Sequence, residues 1–205
     1  MKERIYDRVM APLDRRGFGD RRDRLVAGDI GEVLEVGAGT GLNLPRYRGA
    51  RRVVALEPDP RFRSRLATRA ARARVPVEVV AGTAEDLPFP DGRFDTVVCS
   101  LSLCSVGDLE RAAREIARVL RPGGAVHLLE HVRGSGRLAR WQHRLTPVQR
   151  RLADGCHLDR DPVAALERAG FTVTERDDFR FPRGHPLIRD GVQAVAVRGG
   201  DPPAP

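Results

Sequence analysis

The sequence predicts an α/β fold in which helices cover both faces of a doubly wound, mostly parallel sheet. Short apolar runs alternate with amphipathic segments along the 205 residues. The first run leads into a loop with glycine at every second position, and the second ends in an acid, Glu57, twenty residues after Gly37. Doubly wound folds place a ribose-binding acid at about this separation. Seven runs of strand length make the predicted sheet seven-stranded and the architecture Rossmann-like; they lie at 33–36, 53–56, 77–81, 94–99, 125–130, 171–178 and 191–197.

The chain divides into three parts. Residues 1–30 are expected to form a helical cap in two pieces, because Ile5, Val9 and Leu13 recur at helical spacing before a break at 16–19. Tyr6 lies on the first piece, where it could line a ligand pocket or pack against the sheet. Residues 31–198 form the main domain, and we expect 199–205 to be a disordered tail.

The glycine loop sets the kind of ligand. A dinucleotide-binding turn requires glycine at positions 37, 39 and 42, but position 42 is Leu and the third glycine is Gly41. Glycine has no Cβ, so this loop allows a ligand to lie directly against the backbone. A plain strand-to-helix turn is the alternative. Glu57 favours the ligand-binding interpretation, because an ionised carboxylate can accept the two hydrogen bonds of a vicinal diol.

The other elements follow from local signals. Asp59 is expected to cap a helix from Pro60 to Arg74, and Asp108 a helix that ends near Leu120. Residues 121–124 predict a turn into the fifth strand, and residues 162–169 a short helix.

Residues 133–160 interrupt the alternation of strand and helix. Apolar residues recur there at helical spacing, namely Leu138, Trp141, Leu145 and Val148. Insertions at this point of the fold often contact substrate, so we expect a lid, with Trp141 in its own core rather than against substrate.

Composition limits the class of protein. No apolar run approaches 18 residues and the N-terminus lacks an apolar signal core, so we expect a cytoplasmic protein without a membrane span. The three cysteines are odd in number and lack C-x-x-C spacing, which argues against a disulfide framework and against a zinc site. No bound metal is expected.

The net charge of +8 and pI near 10.7 would suit a nucleic-acid partner. However, Lys2 is the only lysine, the arginines are scattered without a block of like charge, and aromatics are only 5%. We therefore expect no nucleic-acid partner, while attraction to anionic lipid headgroups remains open.

Two phrases give the sequence a family resemblance. Residues 35–41, E-x-G-x-G-x-G, and residues 117–124, Ala-Arg-Val-Leu-Arg-Pro-Gly-Gly, resemble motifs of the class I S-adenosylmethionine-dependent methyltransferases. More particular phrases at 99–106, 130–132, 154–158 and 165–171 resemble the small thiol S-methyltransferases of methyltransferase-like family seven. The likeness extends from about residue 31 to residue 197.

The resemblance implies S-adenosylmethionine as cofactor, with S-adenosylhomocysteine as product. It implies that the glycine loop holds the methionine part and that residues 82–95 hold the adenine, although Thr83 stands where many relatives have Asp. A solvated acidic turn is the alternative for that second loop. The residues that we expect at the cofactor are Glu35, Gly37, Ala38, Gly39, Gly41, Glu57, Pro58, Thr83, Ala84, Glu85 and Ser100.

The predicted reaction is methyl transfer to a small molecule, most simply to a thiol. Enzymes that methylate amides or adenine amines carry an Asn-Pro-Pro-Tyr type motif after the fourth strand, and residues 100–106 contain none. A thiol with a pKa of about 8.5 is already partly ionised at neutral pH, so it requires little acid–base assistance.

If a base is used, His131 is the candidate, because it follows strand five at the same edge as the glycine loop. A packing histidine is the alternative, and His157 is the second choice. We expect the three other histidines to be structural, and Cys104 and Cys156 to be buried small side chains rather than substrate contacts. The structural histidines are His127, His143 and His185.

Three other activities remain compatible with the sequence. C- or O-methylation of a quinone or phenol and N-methylation of a phospholipid headgroup share the same motifs. A non-catalytic protein that retains the cofactor-binding turn is the alternative from a different class.

Overall fold

A computed structural model of the chain describes residues 3–28, 31–181 and 185–199. Seven strands form one sheet in the order β3-β2-β1-β4-β5-β7-β6. The first five pair in parallel, whereas β7 is antiparallel to both β5 and β6. The predicted seven-stranded, mostly parallel sheet is confirmed. The strands are β1 Gly31–Val36, β2 Ala50–Leu56, β3 Val77–Val80, β4 Phe94–Ser100, β5 Leu120–His131, β6 Phe171–Arg180 and β7 Asp190–Arg198.

The described residues contain six α-helices, and both predicted caps, Asp59 and Asp108, are present, together with a third at Asp161 that was not predicted. The side chains of Asp59, Asp108 and Asp161 accept hydrogen bonds from backbone amides in the first turns of α3, α4 and α6. The helices are α1 Glu3–Leu13, α2 Gly19–Val26, α3 Pro60–Ala70, α4 Leu109–Val119, α5 Gly136–Leu152 and α6 Pro162–Arg168.

Two apolar clusters cover the two faces of the sheet. Because side chains alternate along a strand, Leu34 of β1 belongs to the cluster that includes α4 and α6. Its neighbour Val33 belongs to the cluster that includes α1, α2 and α3. Helices therefore lie on both faces, as predicted.

The element boundaries differ in places from those predicted. Helix α3 ends at Ala70 rather than Arg74, and α1 and α2 are separated by a kink at Arg16 and Gly17, as expected. Strand β5 begins at Leu120, and the predicted turn at 121–124 is a register shift within it. Of the predicted tail 199–205, all but residue 199 lies outside the described residues, as do residues 1, 2, 29 and 30 of the predicted cap.

The predicted buried face of α5 is wrong. Trp141 and Val148 are 55% and 53% exposed, whereas the helix buries Ala139, Gln142 and Thr146. Gln142 accepts from the Gly134 amide at 2.8 Å and donates to the Leu187 carbonyl at 2.9 Å. Part of the buried face of α5 is therefore polar, because Gln142 supplies hydrogen-bond partners for backbone groups of other segments. The spacing of apolar residues along the helix does not reveal this.

None of the described helices is both long enough and apolar enough to cross a lipid bilayer.

Candidate cofactor and acceptor site

The glycine loop lies at the carboxyl end of β1. Gly37 and Gly39 have φ of +67° and +58°, a region that side chains disfavour. A Cβ on Gly37 would stand 2.5 Å from the Ser102 Cβ, whereas a Cβ on Gly39 would meet nothing nearer than 4.0 Å. Gly37 therefore allows the segment after β4 to pack against the loop, and Gly39 leaves one side of the loop open.

Glu57, at the end of β2, is joined to this loop. Its carboxylate accepts the Gly39 amide at 2.8 Å and the Asp59 amide at 2.9 Å, and the residue is only 7% exposed. Burial raises the pKa of Glu57, against the effect of these two hydrogen bonds. Each carboxylate oxygen has a second lone pair, so Glu57 can still receive a ligand's hydroxyls. An open backbone loop beside a buried acid fits an adenosyl cofactor.

The loop after β3 lies at the same sheet edge, because β3 is parallel to β2. Thr83 is exposed and Ala84 is buried. Glu85 accepts from the backbone amides of Gly107 and Asp108, which fixes this loop to the start of α4. The expected adenine-binding residues are therefore adjacent to the end of β2, where Pro58 is exposed; their contacts with the cofactor remain predictions.

A buried polar network supports the glycine loop from beneath. The carboxylate of Glu35 accepts from the Asn43 amide at 2.9 Å and from the Tyr47 hydroxyl at 3.1 Å. Arg22 of α2 donates to the side-chain Oδ1 of Asn43 at 2.8 Å and to the Ser100 hydroxyl at 3.1 Å. Glu35 and Ser100 thus have structural partners in addition to their predicted cofactor contacts. No sequence pattern indicated Arg22.

The N-terminal helix lies over the loop. The Asp7 carboxylate accepts from the Thr40 hydroxyl at 2.6 Å and pairs with Arg69 at 2.9 Å. Tyr6 meets Phe62 of α3 edge-to-face at 5.8 Å, and it also packs against the apolar cluster that contains Val33 of β1. Residues of α1 therefore cover the glycine loop, as expected for a cap.

Three chain segments meet at the carboxyl ends of β4 and β5. The Glu130 carboxylate accepts the amides of Ser102 and Leu103 at 2.6 and 2.8 Å. From the segment that follows α5, Arg160 donates to the Leu103 carbonyl at 3.0 Å, and the His157 amide donates to the Cys104 carbonyl at 2.8 Å. These bonds hold residues 102–107 between β5 and the predicted lid.

At this junction Cys104, His131 and Cys156 come together, with their three ligand atoms all within 4.8 Å of one another. His131 Nε2 lies 3.2 Å from Cys156 Sγ, and His131 is 6% exposed. Hydrogen bonds from Cys104 and His131 lower the pKa of Cys156, and contact with Cys156 raises the pKa of His131 against the effect of its burial. Cys104 is buried as expected, but Cys156 is half-buried and hydrogen-bonded rather than a packing residue.

The cysteine spacing could not predict this cluster, because its members come from three separate elements. A signal existed for two of them: Cys104 follows β4, and His131 is the last residue of its parallel neighbour β5. Cys156 follows α5, whose placement the sequence does not define.

The other histidines have structural partners. His127 Nδ1 lies 2.8 Å from the Leu25 carbonyl, His143 pairs with Asp159 at 2.9 Å, and His185 accepts the Leu187 amide at 3.3 Å. These contacts agree with the expected structural roles, which stay predictions. His157 lies beside the cluster but its ring nitrogens contact the Cys104 carbonyl and Arg160.

The chain is similar to known methyltransferases. A family model described as a methyltransferase domain matches residues 34–128. The human thiol S-methyltransferase TMT1A is 38% identical over 201 residues, which cover 95% of this chain and 82% of the relative. Human TMT1B is 36% identical over 183 residues, covering 82% and 75%. A phosphatidylethanolamine N-methyltransferase of Cereibacter sphaeroides is 37% identical over 132 residues, covering 63% and 64%.

Solved structures share the fold. A putative sarcosine dimethylglycine methyltransferase from Galdieria sulphuraria superimposes with a TM-score of 0.74 at 15% identity, covering 97% of this chain and 98% of the other. A SAM-dependent methyltransferase from Thermotoga maritima gives 0.70 at 22% identity, covering 95% of each. The chain therefore belongs to the class I S-adenosylmethionine-dependent methyltransferases, in the family that includes human TMT1A and TMT1B.

Proposed function

We propose that this enzyme methylates the sulfur of a small thiol. The observation that carries the proposal is the likeness to the thiol S-methyltransferases TMT1A and TMT1B, which for TMT1A extends over 95% of the chain. It therefore includes the segment after β4, which lies within the matched methyltransferase domain model, and the segment after α5, which lies outside that model. Those segments form the acceptor side of the site.

The residues present fit S-adenosylmethionine, which supplies an electrophilic methyl group when bound. The backbone of 37–41 would hold its methionine part, Glu57 its ribose hydroxyls, and residues 83–85 its adenine. The open side of Gly39 and the unused lone pairs of Glu57 support this assignment.

The protein's main contribution is to hold the acceptor in line with the transferred methyl group. Such positioning is worth roughly 7 to 11 kcal/mol of barrier. The bonds from Glu130 and Arg160 keep residues 102–104 in place beside the glycine loop, which makes the acceptor side rigid. His131 is the residue that we propose assists loss of the thiol proton. Its Nε2 is already 3.2 Å from Cys156, so it acts together with that cysteine.

Headgroup N-methylation is the second candidate, because one relative is a phosphatidylethanolamine N-methyltransferase. That relative matches only 63% of the chain, against 95% for TMT1A. We propose a small-molecule acceptor rather than a nucleic acid, since the arginines are dispersed through the sequence. We also propose a cytoplasmic location, in keeping with three unpaired cysteines.

A panel of acceptors with methyl-labelled S-adenosylmethionine tests the proposal. The panel contains small thiols, phenols, amines, phosphatidylethanolamine and RNA. We expect transfer to thiols, and its loss in Glu57→Ala, while Glu78→Ala on the exposed side of β3 remains active. Transfer only to phenols, amines or lipid would refute thiol methylation. Fractionation of cells that produce the protein tests its location.

A further inference from the structure

We propose that Cys104, His131 and Cys156 form a zinc site whose fourth position binds the acceptor thiol. The proposal rests on the proposed thiol methylation and replaces the role of His131 in it: His131 binds the ion, and the ion rather than the imidazole promotes ionisation of the thiol. Nothing in the comparisons assigns a metal to this chain.

The ligand types and their spacing suit zinc. Two thiols and one imidazole are the ligand set of a known class of catalytic zinc sites. Bond lengths of about 2.0 to 2.3 Å place tetrahedral ligands of zinc about 3.3 to 3.8 Å apart. His131 Nε2 and Cys156 Sγ are 3.2 Å apart, and all three ligand atoms lie within 4.8 Å. Small side-chain rotations are sufficient to close such a triad around an ion.

The surroundings of the cluster also favour a cation. Glu130 Oε2 and His131 Nδ1 are buried, and neither has a hydrogen-bond partner among the described residues. A buried carboxylate oxygen without a partner costs free energy, which a nearby cation would lower. The guanidinium of Arg160 faces the same junction, but it is directed at the carbonyls of Leu103, Val106 and Gly107. A dication bound by the two thiols and His131 would add positive charge near Glu130, which the guanidinium of Arg160 does not.

The site leaves room for an acceptor. Three protein ligands and one open position are typical of catalytic zinc, whereas structural zinc has four protein ligands. Cys156 is half-buried, so the cluster reaches solvent on one side. Ser102, two residues before Cys104, packs against Gly37 of the glycine loop. A thiol bound to the ion is therefore held at the edge of the sheet that carries the cofactor-binding residues.

The chemistry balances without an oxidant or reductant. The acceptor thiol loses its proton to solvent when it binds the ion, because a zinc-bound thiol is deprotonated. A lone pair of the resulting thiolate then forms the new bond to the methyl carbon. The bond between that carbon and the sulfonium sulfur breaks, and its electron pair remains on the departing sulfur. The thioether product is neutral, so it is a weaker ligand than the thiolate and leaves.

Metal content of the purified full-length protein gives a test that is independent of activity. After dialysis we expect about one zinc ion per chain, following the three-ligand pattern. Cys104→Ala, His131→Ala and Cys156→Ala should each lower zinc content at least tenfold. Cys99→Ala in β4 and His143→Ala on the surface of α5 are matched controls that should keep it. Thermal unfolding of each variant identifies any that fails to fold.

Cobalt substitution of the metal-stripped wild-type protein gives a second readout that needs no variant. We expect thiolate-to-cobalt charge-transfer absorption, and a change in that spectrum when a small thiol, but not a phenol of equal size, is added. The proposal would be overturned if the wild-type protein showed neither bound zinc nor a charge-transfer band. A Cys104–Cys156 disulfide in the active, metal-free enzyme would also overturn it. Thiol methylation at full rate after chelation would overturn the zinc site and leave the proposed function intact. A zinc-loaded protein that binds no thiol and methylates only other acceptors would refute the thiol function itself.

Discussion

Replacing Gly37 and Gly39 by alanine, one at a time, separates packing from backbone strain in the glycine loop. Both residues have positive φ, so each alanine carries a similar backbone cost of roughly 1 to 2 kcal/mol. Both also gain similarly from a less flexible unfolded chain, by about 0.4 to 1 kcal/mol. These two contributions therefore cancel in the difference between the variants.

What remains is the new methyl group. In Gly37→Ala it would stand 2.5 Å from the Ser102 Cβ, a contact that backbone or segment movement must relieve. Overpacking of this kind typically costs about 1 to 3 kcal/mol. In Gly39→Ala the nearest atom is 4.0 Å away, so no such cost arises. We therefore expect Gly37→Ala to be less stable than Gly39→Ala by about 1 to 3 kcal/mol.

Urea unfolding without cofactor measures the free energy of unfolding of both variants, and calorimetry measures cofactor binding. Gly39→Ala should fold almost normally and yet bind S-adenosylmethionine weakly, because its methyl group projects into the open side of the loop. Equal stabilities would show that residues 100–106 do not depend on Gly37. Unchanged cofactor affinity in Gly39→Ala would refute the assignment of the open side to the ligand.

Four further predictions concern three charged side chains. Glu57→Gln should weaken cofactor binding about 10- to 100-fold, because a hydrogen bond to a charged group is worth roughly 1.5 to 3 kcal/mol; calorimetry measures this, with Glu78→Gln as control. Burial raises the pKa of Glu57, so the affinity of the wild type for the cofactor should fall as the pH drops through that raised pKa. The fall should occur at higher pH than for an exposed glutamate. A cofactor affinity that does not change with pH would contradict this. Arg22→Met should lower the free energy of unfolding by about 3 kcal/mol, because it breaks a partly buried ion pair with Asp14 and two buried hydrogen bonds. The exposed Arg24→Met should change that free energy little in the same urea titration. Asp7→Ala should speed cofactor release several-fold in stopped-flow measurements, because α1 loses its hydrogen bond from the Thr40 hydroxyl of the glycine loop. An unchanged rate of cofactor release would exclude a covering role for α1.

The elements that could be predicted depend on local chemistry. Apolar runs located all seven strands, and Asp59 and Asp108 located two helix starts, because a cap acts on amides within three residues. The adjacency of the glycine loop and Glu57 was also predictable, since parallel neighbours end at the same edge of the sheet.

The features that could not be predicted depend on contacts between distant residues. Arg22 reaches Ser100 across 78 positions, and no local pattern distinguishes it from the other arginines. The buried face of α5 was assigned from apolar spacing, but the backbone groups that Gln142 satisfies belong to other segments. Cys156 joins His131 only after α5 has turned the chain back, so cysteine spacing could not indicate the cluster.

The position of β7 has a consequence for synthesis on the ribosome. The strand inserts between β5 and β6, so residues 190–198 complete pairings on both sides. Until residues 190–198 leave the exit tunnel, the edge of β5 that faces away from β4 has no pairing partner. Strand β6 has no pairing partner at all during that time. Residues 190–198 must therefore leave the ribosome before the acceptor half of the site can assemble, and nascent chains stalled before these residues emerge should remain inactive and depend on chaperones.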